Sequence, residues 1–345
     1  MLYITDNNTD PYWNLAAEEY LLKNFTQPIF RLWRNSSSII IGQYQNAVAE
    51  IDMDYVKSND IKVVRRLTGG GAVFHDLGNL NFTFIEPHTK SEEANAMFRR
   101  FTAPILEALN KLGVKAYLEG RNDLLIEGRK FSGNAMCISN GRVLQHGTLL
   151  FSASMNNLGA ALKSRPEKFI GKAVQSNVSR VTNISEHLPQ PMNIEEFQQY
   201  LGEYICANYN IGINCNLSKK NDEYSDREIV LYSYTPADLE AIEKLKNEKY
   251  ATARWNFGHS PAYSSNIVKK FPGGLLEFNF TVKKGTIEEL EIFGDYFFTS
   301  PTEEFANYMK GTAHTHEAIS KKIATIDTAS YFNGISKNEL LEMFF

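Results

Sequence analysis

Cysteine is scarce: Cys137, Cys206 and Cys215 are all that 345 residues contain, an odd number with no paired spacing. That argues against a disulfide framework and against a cysteine-rich zinc site. Long apolar runs are missing too, and none reaches the ~18 residues of a membrane-spanning helix. Residues Met1 to Asp6 carry no basic segment leading into an apolar stretch, so no secretory signal is expected and the cytoplasm is the expected compartment. A basic excess is also absent. The formal net charge is −4, which disfavours a general nucleic-acid binder and leaves a small acid or a protein as the partner class. Internal repeats and low-complexity tracts do not occur.

What is present is ordinary globular material. Apolar residues make up 43% and charged residues 22%, and 22 Phe with 17 Tyr supply a large core. The length predicts two domains, or one large domain with an appendage. Asp10-Pro11 reads as the cap and first residue of a helix running to about Lys23. Strands are expected at 2–5, 29–33, 38–41, 61–65, 72–76 and 81–85, with a short helix between 52 and 59. Met97, Phe98, Phe101, Ile105, Leu109 and Leu112 recur at helical spacing, closed by Gly113, with Pro104 as a possible kink. Strands follow at 114–118, 123–127, 130–138 and 142–151, then a helix at 193–209. Residues 216–229 are polar and charged and read as a linker. A charged helix over 236–249 and strands at 262–270, 275–283 and 286–294 complete the pattern.

Four segments could carry chemistry. In Arg65-Arg66-Leu67-Thr68-Gly69-Gly70-Gly71, three glycines expose backbone N–H groups that can cradle an anion, and two arginines add positive charge. The alternative is a mobile hairpin turn; no GK[ST] follows, so it is not a Walker loop. In the second segment, Asp123 opens a strand where a carboxylate could hold Mg²⁺. A strand over 130–135 would place Lys130, Ser132 and Asn134 on one face, whether towards a site or towards solvent at an edge. The third is Gln145-His146-Gly147-Thr148, where a lone histidine is as well explained by structure. The fourth comprises Ile170-Gly171-Lys172 and Val178 to Ile184.

Taken together and in this order, these segments resemble the lipoate–protein ligase A family. RRLTGGGAVFHDLGNLNFTF is similar to its lipoate and adenylate loop, GRNDLLIEGRKFSGNA to its GRND and K-x-SGxA elements, QHGTLLF to its HGT element and SRVTNI to its SRVTNL element. Trp255 to Pro261, Gly273-Gly274-Leu275 and Gly294 to Phe298 resemble its small accessory C-terminal domain. The resemblance implies an α+β fold: a large mixed β-sheet domain with flanking helices, like the biotin and lipoate ligases, plus a small C-terminal α/β domain. The expected division is 1–220 catalytic, 221–250 linker and 251–345 accessory.

The implied activity joins lipoate to a protein lysine through lipoyl-AMP, at the expense of ATP with Mg²⁺. Lys130 would be the central lysine, touching the lipoate carboxylate and the α-phosphate. Arg66 and the backbone of Gly71, Ala72, Val73 and Phe74 would hold ATP, and Asp123 the metal. Gly70, His75 and His146 would line the lipoyl side, with the dithiolane in an apolar tunnel. The partners would be lipoyl domains of 2-oxoacid dehydrogenase E2 subunits or the glycine-cleavage H protein, with no nucleic acid and no membrane. Met136-Cys137 departs from the aromatic and basic residues that often follow the SGxA element. Cys137 also frames the main alternative, an octanoyltransferase of the same superfamily acting through a cysteine nucleophile. A biotin–protein ligase would need a GRGRxGR-type loop, which is absent.

Overall fold

The computed structural model of the chain describes residues 1–45, 47, 51, 53–89, 92–120, 122–154, 181–208, 229–257, 265–283 and 285–345. The expected segments at 170–172, 178–180 and 216–228, and Cys215, lie outside these residues.

The N-terminal part runs β1 (Leu2–Thr5), α1 (Pro11–Asn24), β2 (Ile29–Trp33), β3 (Ser38–Ile41), α2 (Met53–Ser58), β4 (Lys62–Arg65), β5 (Val73–His75), β6 (Asn79–Pro87) and α3 (Ala94–Lys111). It continues through β7 (Ala116–Glu119), β8 (Asp123–Ile126), β9 (Arg129–Ser139), β10 (Arg142–Leu150), α4 (Ile194–Asn208), β11 (Val230–Leu231), α5 (Pro236–Leu245) and α6 (Ala253–Phe257). Eight strands form one mixed sheet in the order β11-β1-β2-β6-β10-β9-β8-β7, and β4-β3-β5 form a second, smaller one. The expected strands and helices are found to within a few residues. The helix α3 continues through Pro104.

The layers follow from side-chain periodicity. On α3, Met97, Phe98, Phe101, Ile105, Ala108 and Leu109 fall on one face and pack with Phe197, Leu201 and Ile205 of α4 against Phe82, Phe84, Phe131 and Leu149 of the large sheet. Helix α1 is different. Asp10 caps it by accepting from Tyr12 N–H, and nearly every residue from Trp13 to Leu22 is buried, including Glu18 and Glu19. A helix buried all round has structure on every side: Trp33 of the large sheet and Ile40 and Val64 of the small one share its cluster. Its buried acids then require partners: Glu19 finds Lys23, Lys249 and Tyr250, and Glu18 finds His146 of the site.

The segment expected to be a linker needs correction from residue 230 onward. β11 pairs in parallel with β1. α5 and the π-helical turn after it carry Ile242 and Tyr250, both fully buried, into the α1 cluster. Tyr250 Oη donates to Glu19 at 2.6 Å and Lys249 Nζ at 2.7 Å. The charged sequence of this stretch is its solvent face; two apolar anchors decide its place.

After it, β12 (Ser265–Phe271), β13 (Gly274–Lys283) and β14 (Thr286–Gly294) form an antiparallel sheet covered by α7 (Thr302–Met309), α8 (His316–Ala324) and α9 (Lys337–Leu341). This C-terminal unit has its own core of Phe278, Phe280, Phe305, Ile319, Phe332 and Phe344. Phe297, just beyond β14, belongs instead to the core of the large sheet and meets Phe98 edge-on at 5.4 Å.

Candidate active site

A pocket of about 310 Å³ opens between the two N-terminal sheets, within the ~300–1,000 Å³ range of small-molecule sites. Leu15 of α1, Trp33 of β2 and Ile40 of β3 give it an apolar end. Lys130, Asp123, Asn122 and Thr148 give it a polar one. Of the residues expected at a site, Arg66, Gly70, Gly71, Ala72, Val73, His75, Asp123, Lys130 and His146 all line this pocket. The Phe74 side chain does not: strand alternation sends it into the cluster of Ile39, Ile41 and Val63 while Val73 and His75 face the pocket.

Lys130 is placed by a tight turn and a bulge. Glu127 and Gly128 both have positive φ, +50° and +75°, forming the two-residue loop of the β8–β9 hairpin. Leu125 then pairs with Lys130, while Leu124 pairs with Ser132, so Phe131 is an extra residue. The expected simple alternation over 130–135 therefore fails: Phe131 enters the core, Ser132 is buried away from the cavity, and Lys130, Gly133 and Asn134 line it. Lys130 Nζ donates to Asp123 Oδ1 at 2.7 Å. Its side chain lies over Gly133, where a Cβ would come within 3.2 Å of Nζ. Two neighbouring elements hold this strand. Thr182 N–H, from the SRVTNI segment, donates to the Lys130 carbonyl at 3.0 Å. Asn122 and Asn134 exchange side-chain-to-carbonyl bonds at 2.6 and 2.9 Å.

The two arginines, alike in sequence, have different work. Arg65 points away from the pocket and donates to the carbonyls of Gly42, Gln43, Gln45, Trp255 and Asn256. It fastens α6 to the end of β3. Arg66 donates to the carbonyls of Ile40, Gly69 and Gly71 and to Thr68 Oγ1. It curls the glycine loop around its guanidinium. Burial lowers the pKa of both guanidinium groups to about 10, which leaves them charged at neutral pH.

The histidines are held by relays. Asn14 Nδ2 donates to Asn35 Oδ1 at 2.9 Å, which turns Asn35 Nδ2 towards His75 Nδ1 at 3.1 Å. The proton of His75 is therefore on Nε2, a buried donor with no partner among the described residues. Burial, with His146 and Arg66 nearby, lowers its pKa to about 3, so the ring is neutral. Thr68 Oγ1 accepts from Arg66 and is left to donate to His146 Nε2 at 2.8 Å; His146 Nδ1 faces both Glu18 oxygens at 3.0 Å. Glu18 also accepts from Thr83 at 2.6 Å. The buried acid of α1 thus ties the HGT element to the glycine loop, and both His146 nitrogens are occupied. Sequence reading missed Glu18, because an acid in a helix ordinarily faces solvent.

It also missed which residues of the C-terminal unit reach the site. Lys270, Asp295 and Phe297 of the C-terminal unit complete the pocket lining. Each loop glycine faces this unit. A Cβ on Gly69 would lie 2.5 Å from the Tyr296 carbonyl oxygen, one on Gly70 3.3 Å from the Phe297 ring, and one on Gly71 3.9 Å from Asp295 Cβ. Gly70 N–H donates to that Tyr296 carbonyl at 3.2 Å. The side-chain-free loop is what lets residues 295–298 lie against it.

Residues 10–206 match the model of the lipoyl protein ligase A/B catalytic domain, and residues 260–344 that of the bacterial lipoate protein ligase C-terminus. The chain belongs to the lipoate–protein ligase family. It is 39% identical to the lipoate-protein ligase LplJ of Bacillus subtilis over 348 aligned positions, covering 100% of both chains. Among solved structures it resembles P. falciparum LipL1 in complex with lipoate, with a TM-score of 0.72, 26% identity, and coverage of 99% of this chain and 98% of that one. It also resembles a lipoate-protein ligase A bound with ATP, with a TM-score of 0.61, 27% identity, and coverage of 74% and 98%. The α+β architecture expected from the resemblance is the one found.

Cys137, the candidate thiol of the alternative transferase, is not in the pocket. It is buried among Ile4, Leu21, Ile85 and Leu144. Burial, with Glu18 and Glu19 nearby, pushes the thiol up to about 12, so it carries no thiolate at neutral pH. Cys137→Ala is expected to keep acyl transfer within about twofold of the parent, since a buried cysteine acts as a small apolar residue. Loss of transfer in a folded Cys137→Ala protein, measured on a supplied acceptor, would restore the transferase reading.

Proposed function

We propose a division of labour among these residues for the ligase reaction, in which ATP activates lipoate as lipoyl-AMP and the lipoyl group passes to a lysine of an acceptor protein. The observation that carries it is convergence: three separated motifs meet in one pocket, with Lys130 at its polar end and Leu15, Trp33 and Ile40 at its apolar end, and Thr182 of the fourth braces the Lys130 strand from outside the lining. Such a pocket suits an acid with a long apolar tail. The Lys130 ammonium would lie between the lipoate carboxylate and the α-phosphate, offsetting the repulsion of two anions and the charge that builds between them. Arg66 would act by holding the loop of Gly70, Gly71, Ala72 and Val73 in shape for the nucleotide. The unpartnered His75 Nε2–H would donate to the lipoyl side, while the bracketed His146 ring forms wall.

Mg²⁺ fits the donor set. It binds through one or two carboxylates, with water and substrate phosphates supplying the rest, and the half-exposed Asp123 is an oxygen donor beside Lys130. Bound there, the metal would neutralise phosphate charge during adenylation. Asp123→Asn is expected to raise the Mg²⁺ concentration needed for adenylate formation and to spare transfer from supplied lipoyl-AMP. If both half-reactions fall together, Asp123 serves to hold Lys130 instead.

The acceptors would be lipoyl domains of E2 subunits or the H protein, met in the cytoplasm where ATP is abundant. Among the described residues no helix is long and apolar enough to cross a membrane. The test is mass spectrometry of a lipoyl domain incubated with the chain, lipoate, ATP and Mg²⁺. One lipoyl group on one lysine, dependent on ATP, is expected; an unmodified domain would overturn the reading.

A further inference from the structure

The roof of the pocket carries a charged pair whose place calls for explanation. Lys270, near the end of β12, and Asp295, just after β14, both line the cavity. Lys270 Nζ donates to Asp295 Oδ1 and Oδ2 at 3.3 and 3.5 Å. Asp295 Oδ1 accepts Leu275 N–H at 2.5 Å. The turn carrying Asp295 depends on glycine. Gly294 has φ +154°, and a Cβ there would lie 2.0 Å from the Leu275 carbonyl oxygen; Gly274 has φ +141°, and a Cβ there would lie 3.1 Å from Asp295 Oδ1. The turn holds Asp295 opposite Gly71, and Asp295 in turn holds the lysine.

We propose that Lys270 is a phosphate-contacting cation of the adenylation step, delivered to the active site by the C-terminal unit, with Asp295 as its positioning residue. The inference rests on the adenylation reading above and assigns that site a second lysine. Charge is the first argument. Among the described lining residues the cations are Arg66, Lys130 and Lys270. Arg66 gives its donors to loop carbonyls, which leaves two lysines, each beside one carboxylate: Lys130 by Asp123 on the floor and Lys270 by Asp295 on the roof. Lipoate and ATP together bring about five negative charges into a partly enclosed pocket, where they are poorly screened. A cation on the roof is what that load requires.

The reaction itself is the second argument. A lipoate carboxylate oxygen bonds to the α-phosphorus. The bond from that phosphorus to the α,β-bridging oxygen breaks, and its electron pair leaves on pyrophosphate. No proton moves, so the charge growing on the leaving group must be met by cations already in place. Transfer to the acceptor lysine expels AMP and involves no pyrophosphate. Lys270 is therefore needed for the first half-reaction alone.

The test compares the full-length parent with Lys270→Ala and Lys270→Arg in two assays: lipoate-dependent ATP–pyrophosphate exchange at varied ATP, and transfer from supplied lipoyl-AMP. For Lys270→Ala, kcat/KM for ATP is expected to fall about ten- to hundredfold, with KM for lipoate and the transfer rate unchanged. Lys270→Arg keeps the charge and should recover most of the exchange. Asp295→Asn should give a smaller loss in the same assay only. Exchange by Lys270→Ala within twofold of the parent overturns the proposal. So does a variant in which Tm and both half-reactions fall together, or an arginine variant as impaired as alanine, since a mere brace between β12 and the turn would behave that way. A parent without lipoate-dependent exchange would instead sink the adenylation reading itself.

Discussion

Lys130→Ala is expected to cut lipoyl-adenylate formation by about 10²–10³, or ~3–4 kcal/mol of transition-state stabilisation, while leaving the fold intact. The magnitude follows from its place. The ammonium sits at the polar end of the pocket, 2.7 Å from Asp123 and over Gly133, with its strand pinned by Thr182 and by the Asn122–Asn134 exchange. A group so held is already oriented when the anions arrive, and its removal leaves their repulsion uncompensated. Stability should change little, because the side chain is about 39% exposed and its ion pair with Asp123 is a surface one. Single-turnover adenylate formation and thermal melting check the two halves separately. A Lys130→Ala enzyme that forms adenylate normally would remove this residue from the mechanism.

Phe297→Ala should have the second-largest effect, although Phe297 carries no chemistry. It projects from the C-terminal unit into the core of the large sheet, 4% exposed and edge-on to Phe98. Deleting a buried phenylalanine costs ~3–5 kcal/mol. Here much of that falls on the contact between the units, because each retains its own core. A loss of that size can turn a predominantly docked population into a minor one. If the roof serves adenylation as proposed, adenylation should fall sharply, whereas transfer from supplied lipoyl-AMP should persist.

Gly69→Ala offers a second handle on the same contact. Its Cβ would meet the Tyr296 carbonyl at 2.5 Å, a backbone atom that cannot swing aside. Small-angle scattering would report the undocking, and the two half-reaction assays its consequence. If Phe297→Ala activates lipoate at the parent rate, the roof is dispensable for adenylation.

Much of this architecture is legible in the sequence. The short apolar runs 29–33 and 38–41, the spacing of Met97 to Leu109, and the Asp10-Pro11 start are local signals, and local signals survive folding. The lining set from Arg66 to His146 was legible mainly through the family resemblance, which the four motifs carry by their order and spacing. What escaped depends on long-range contacts. Arg65 and Arg66 look equivalent until the segment near Asn256 takes the first and the glycine loop the second. The bulge at Phe131 breaks an alternation that otherwise places Ser132 in the site. The charged helix after residue 235 reads as solvent-exposed until Ile242 and Tyr250 find the α1 cluster. Lys270, Asp295 and Phe297 join the pocket from more than a hundred residues away; the segment 294–298 resembles the accessory domain, but no local pattern says that its side chains reach the site.

Isotope exchange between pyrophosphate and ATP in the full-length chain, with lipoate, octanoate or biotin added in turn, tests the central claim most directly. Exchange that depends on lipoate and Mg²⁺, is not supported by biotin and is nearly abolished by Lys130→Ala is the predicted result. Acyl transfer to a lipoyl domain without any ATP-dependent exchange, or exchange supported by biotin alone, would contradict it.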